Sequence, residues 1–140
     1  MMIRYLFIVL LLATDLLASD YCLLYPVSLL ERVQTSDLII EAEIVRDSAF
    51  AEKNMIYTAY QLRVLGTLKG AEFETIQLLT EGGILNDRAL IVRPSLTPTI
   101  GSRGIFFLKK SGALYVPFAG PQSMIELQED GKAHEPFRIY

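Results

Sequence analysis

The stretch from Ser36 to Gly70, SDLIIEAEIVRDSAFAEKNMIYTAYQLRVLGTLKG, constrains this chain more than any other. Leu38, Ile40, Ala42 and Ile44 fall on one face of an extended segment, with Glu41 and Glu43 on the other. The pattern returns further on, with Ile56, Thr58, Tyr60, Leu62 and Val64 inward and Gln61 and Arg63 outward. A period of two is that of a half-buried β-strand, because successive side chains leave a strand on opposite faces. The intervening RDSAFAEKN, Arg46 to Asn54, reads as a polar loop without glycine. Gly66 is expected to break the second strand, and Lys69-Gly70 to turn it.

Shorter strands are expected at Thr75–Leu79, Ala89–Val92, Gly104–Lys109, Ala113–Phe118 and Ser123–Gln128. They are separated by turn signals at Gly82-Gly83, Ser111-Gly112 and Asp130-Gly131, and by a two-proline stretch from Arg93 to Gly101. Short, evenly spaced strands mean an all-β sandwich or barrel. One helix is expected before them. Pro26 suits its first turn, and Leu29, Leu30 and Val33 lie on one face, ready to pack on the strands after it.

The N-terminus has the form of an export leader: Arg4, an apolar run from Tyr5 to Ala13, then small residues Ala18 and Ser19. That run falls short of the roughly 20 residues a helix needs to cross a bilayer. Residues 1–19 are therefore read as a signal peptide and 20–140 as one domain, standing alone or as the N-terminal module of a longer protein. The protein is expected to be secreted or periplasmic, without a stable transmembrane anchor. Net charge is −3 with Lys and Arg scattered, which gives no footprint for nucleic acid. The single cysteine, Cys22, forbids an intrachain disulfide, and the bulky Tyr21 before it argues against lipidation.

Catalytic equipment is sparse. One histidine, His134, and one cysteine do not make a metal site without several carboxylates. His134 lies in a Gly-Lys-Ala-His-Glu run and reads as a solvated turn residue. Glu41 and Glu43, about 7 Å apart on one strand face, fit an acid/base pair in spacing. Nothing apolar nearby would split their pKa values, so they read as an ordinary solvent face. No serine has a nucleophile-elbow context and no glycine run fits a phosphate loop. The expectation is a protein that is not an enzyme and takes no cofactor or metal, with Arg46–Asn54 and Gly82–Asn86 facing a protein partner.

From Cys22 onward, the order of features resembles the N-terminal domain of the tissue inhibitors of metalloproteinases. Cys22 and Pro26 are followed by the strand Ser36-Asp37-Leu38-Ile39-Ile40-Glu41-Ala42, then Tyr60 to Val64 and Leu68-Lys69-Gly70, and later Gly104-Ile105-Phe106-Phe107-Leu108. The likeness, over residues 22–118, is also to the netrin-like domain that opens many secreted bacterial proteins. It implies an OB-like barrel of five to seven strands, closed or partly open, with a short N-terminal helix. It further implies a binding wedge of Cys22, Leu23, Leu24 and Tyr25 beside Glu81, Gly82, Gly83, Ile84 and Leu85. In the inhibitors the first cysteine's amine and carbonyl chelate the target's zinc. Here that role would require Cys22 to be the mature N-terminus, and the inhibitors' disulfide has no counterpart. The resemblance thus implies an exported, non-catalytic protein-binding or accessory barrel first, and a metalloproteinase inhibitor second. The partner is expected to be a metalloproteinase or another module of the same secreted protein.

Overall fold

A computed structural model of the protein describes residues 25–134. Helix α1 spans Leu29–Thr35, and the strands are β1 (Leu38–Glu52), β2 (Met55–Lys69), β3 (Thr75–Glu81), β4 (Gly83–Leu85), β5 (Arg88–Leu90), β6 (Arg103–Ser111), β7 (Leu114–Pro117), β8 (Met124–Leu127) and β9 (Ala133–His134). A 3₁₀ turn, Gly120–Ser123, links β7 to β8. Five strands close a ring in the order β1-β2-β3-β7-β6-β1, antiparallel except where β3 meets β7 at Leu78 and Tyr115. The chain forms the expected all-β fold, a partly closed barrel with one short helix.

The inward residues of both long strands fill the ring. Leu38, Ile40, Ala42 and Ile44 of β1 meet Tyr60 and Leu62 of β2, Ile76 and Leu78 of β3, and Phe106 and Leu108 of β6. Leu96, carried by the proline-containing segment between β5 and β6, joins them, as does Met124 of β8. β6 is the common seam: one edge pairs with β1, and its other edge is divided between β8 and β7. Gly104 allows β8 this approach, since a Cβ there would lie 2.7 Å from the carbonyl of Ile125.

The structure corrects several expectations. First, Arg46–Asn54 is not a loop. β1 runs on to Glu52, and only Lys53 and Asn54 turn between the strands. The alternation fades there because β1 is exposed at nearly every position after Ile44, where polar residues cost little. Gly66 likewise does not end β2. It lies opposite Glu41, where the register shifts by a bulge and the strand bends without stopping.

Second, the helix begins after Ser28, whose side chain accepts a hydrogen bond from the Glu31 N–H at 3.1 Å, so Pro26 precedes the cap. Third, its apolar face is not what packs. Leu29, Leu30 and Val33 are 54%, 65% and 41% exposed, whereas Arg32 is 6% exposed. The Arg32 guanidinium stacks 5.4 Å above the Phe107 ring and donates to the carbonyl of Gln122. The other end of the helix is held by lysines. Lys69 donates to the carbonyls of Val33 and Gln34, and Lys109 to that of Thr35. Cations there satisfy the free carbonyls and suit the helix dipole.

Candidate protein-binding surface

Beyond the point where β6 stops pairing, β1 and β2 continue as an arm, with β3 following β2 as far as Tyr57↔Glu81. On one face of the arm Phe50 stacks on Tyr57, ring centroids 5.7 Å apart. On the other face lie Ala49, Ile56 and Thr58, and here the chain leaving β3 folds over the arm. The Gly82 N–H donates to Ile56 O at 2.7 Å, and the buried Thr58 hydroxyl donates to Gly82 O at 2.7 Å. Gly82 and Gly83 both have positive φ, 91° and 147°. A Cβ on Gly83 would collide with Thr58 Oγ1 and stand 3.7 Å from the Ala49 methyl. Only glycine can make this crossing.

The crossing places the β4–β5 hairpin beside the arm, so the two segments expected to face a partner come together. Around them the surface is apolar and concave. A cleft of about 320 Å³ is lined by Tyr57, Leu79, Val92, Pro94, Val116 and Pro117, with Glu81 and Ser95 also contributing. The Ser95 hydroxyl donates to the Glu81 carbonyl at 3.2 Å. A second hollow of about 220 Å³ lies under the β4–β5 hairpin, and Thr80, Glu81 and Val92 border both. Ile84 and Ile91, each 75% exposed, stand at this second hollow.

Of the residues singled out in the sequence, Glu81, Gly82, Gly83 and Ile84 thus form one edge of a real concavity, while Leu85 lies outside its lining. Cys22, Leu23 and Leu24 lie outside the described residues. Tyr25 is exposed, and its backbone is tied down: Gln122 donates to the Tyr25 carbonyl at 2.8 Å and accepts from the Val27 N–H at 2.7 Å. Gly120, in the same 3₁₀ turn as Gln122, lines the larger cleft. The sequence reading missed the cleft walls Leu79, Val92, Pro94, Val116 and Pro117. Their signal was there in part, since Phe50, Tyr57 and Leu79 put apolar bulk on the outward face of strands whose other face already fills the core.

The remaining candidates are accounted for by structure. Glu41 pairs with Arg103 and Glu43 with Arg63, all four at partly exposed positions, so each carboxylate ties β1 to a neighbouring strand. Asp37 is held below the usual carboxylate range, chiefly by the Lys110 N–H it accepts and further by Lys109, against some desolvation. Burial pushes the Tyr60 phenol up, and the Asp47 carboxylate adds to it. Among the described residues no group of three or more His, Cys, Asp and Glu side chains is placed to hold a metal ion. His134 is exposed in β9, opposite Glu126. What the site offers is apolar area with carbonyls and one carboxylate nearby, which suits contact with another chain. No protein-family model matches this chain, and neither the curated proteins nor the solved structures contain a match to it.

Proposed function

We propose that this chain is an exported, non-catalytic barrel that captures a protein partner at the β4–β5 hairpin, through Ile84, Ile91 and the hollow they border. One observation carries the reading: the arm and the β4–β5 hairpin meet around an apolar cleft while large aliphatic side chains beside it are left in water. Exposed apolar surface gathered at a concavity is the usual mark of an interaction site, and loops on a rigid barrel are where such sites collect. Export rests on the leader-like residues 1–19. Among the described residues no helix is long and apolar enough to cross a membrane.

The reading is tested by placing a photo-crosslinking side chain at position 84 or at Leu68, which is also well exposed but lies near the other end of β2. In the exporting host, a discrete crosslinked protein is expected from position 84 and not from position 68. Ile84→Asp and Ile91→Asp should each remove partner capture while leaving the far-UV spectrum unchanged. Equal crosslinking from both positions, or capture that survives both substitutions, would sink the proposal.

A second reading, inhibition of a metalloproteinase, is favoured by the position of Tyr25. The 3₁₀ turn whose Gln122 clamps Tyr25 also contributes Gly120 to the cleft that Glu81 borders. Tyr25 and Glu81 therefore both approach one turn of the chain. This reading requires a mature protein that begins at Cys22 with a free amine. Intact mass and N-terminal sequencing decide that requirement, and an inhibition assay against a zinc endopeptidase decides the rest.

A further inference from the structure

The outer edge of the arm is open. β6 accompanies β1 only from Leu38 to Glu43, and Ile44 exchanges backbone bonds with Gly101 and Ser102. From Arg46 to Glu52 the sole strand partner of β1 among the described residues is β2, in unbroken register from Arg46↔Gln61 to Glu52↔Met55. The two-residue turn makes Glu52 and Met55 a hydrogen-bonded pair, so the bonds of residues 52, 50, 48 and 46 point to β2. Those of Ala51, Ala49 and Asp47 point away from it. An independent bond confirms this phase. Ala51 is opposite Ile56, and the Ile56 carbonyl is turned away from β1 to accept the Gly82 N–H. An edge of this kind is a template for another strand.

We propose that this edge pairs antiparallel with the same edge of a second copy, about a two-fold axis at Ala49. In that register Ala49 exchanges both backbone bonds with Ala49 of the second copy, and Asp47 exchanges its bonds with the second copy's Ala51. These are the groups left unpaired by β2. The side chains agree with the same register. Arg46 falls opposite the second copy's Glu52, and the two-fold repeats the pairing, so two opposite charges meet at each end. Shifting the register by two residues loses that match. Arg46 and Glu52 have no such contact within one chain, where they face Gln61 and Met55. A symmetric pair needs only one self-complementary patch, the commonest route to a dimer. Because the axis is perpendicular to the paired strands, both Phe50–Tyr57 faces, and the clefts beside them, look the same way. The dimer would offer a partner two clefts at once. This inference goes beyond the capture of a partner and uses different atoms, so either can fail alone.

The test is sedimentation equilibrium of the chain as recovered after expression, over a range of concentrations, with four charge states of the edge. Arg46→Glu or Glu52→Arg alone replaces two attractive pairs by two repulsive ones and should weaken dimerisation by about tenfold or more. The doubly swapped chain, R46E with E52R, should recover the dimer, because only the intermolecular register opposes these positions. Ala51→Pro removes an N–H that β2 does not use, and should leave a folded monomer. A chain that remains monomeric up to about 200 μM, beyond the micromolar reach of weak specific interfaces, overturns the proposal. So does a dimer indifferent to Ala51→Pro, or single charge variants that the double swap fails to rescue. Amide protection of Asp47, Ala49 and Ala51 appearing only when a different protein is added would assign the edge to that protein and overturn self-pairing.

Discussion

Tyr60 is a core residue with an ionisable end, and its surroundings set how the barrel responds to alkali. Burial and the Asp47 carboxylate both favour the neutral phenol, raising its folded pKa above the unfolded value of about 10. A raised acid pKa stabilises the fold fully below the unfolded pKa, and that share is lost as pH climbs through the folded one. Melting temperatures are therefore expected to fall steeply above about pH 10, and Tyr60→Phe should flatten that limb while leaving neutral pH little changed. Ser36 makes a different prediction. It is fully buried, and its hydroxyl has no hydrogen-bond partner among the described residues, although its N–H closes α1 on Arg32 O. An unmet buried hydroxyl costs free energy, so Ser36→Ala should be neutral or stabilising by up to about 1 kcal/mol in urea unfolding. A clear loss of stability would mean that this hydroxyl has a partner. Arg32 shows what sequence could not tell at this scale. In a short helix with three apolar residues on one side, periodicity selects the wrong face. The deciding forces are a planar cation over Phe107 and lysines at the helix end, all supplied from residues far along the chain.

Elements were most legible where the core imposes a period. β1 up to Ile44 and β2 from Ile56 to Val64 follow the inward set expected of them, because each inward side chain is removed from water. The β1 half of the arm was not legible, since nearly every residue of β1 after Ile44 is exposed and the period carries little free-energy difference there. Backbone hydrogen bonds with β2 hold it instead. The candidate site was half legible for a related reason. Gly82-Gly83 announces a sharp passage, but the walls it is folded against come from β2, β3, β7 and the segment after β5. Their meeting is a property of strand order, which no local pattern encodes. The crossing at Gly83 gives this scale its prediction. Gly83→Ala brings a methyl into Thr58 at a φ that L-residues avoid, and should destabilise by about 1–3 kcal/mol or more. The β4–β5 hairpin should lose amide protection before the ring does. Equal loss everywhere would show that the hairpin is not a separable element.

At the scale of the molecule, the ring joins partners of very different sequence separation. β1 and β2 are neighbours joined by a two-residue turn, whereas Leu38 meets Leu108 half the chain away. Local pairing loses little loop entropy and non-local pairing loses more, so the hairpin is expected in the folding transition state and the β1–β6 seam after it. Ile56→Val should therefore slow folding, and Phe106→Leu should mainly speed unfolding, as read from the two limbs of a denaturant chevron. The reverse assignment would place the seam first. Strand order at the seam also sets how the barrel bears load. Leu38, where the chain enters the ring, lies beside one end of β6, while Leu127, the last residue of β8, lies beside Arg103 at the other end. Tension between these two points acts along β1, β6 and β8, so their ladders are loaded in shear and many bonds must fail together. Peeling, in which bonds break singly, is avoided. A domain pulled between these two points would then yield to force slowly, at a rate fixed by its unfolding barrier.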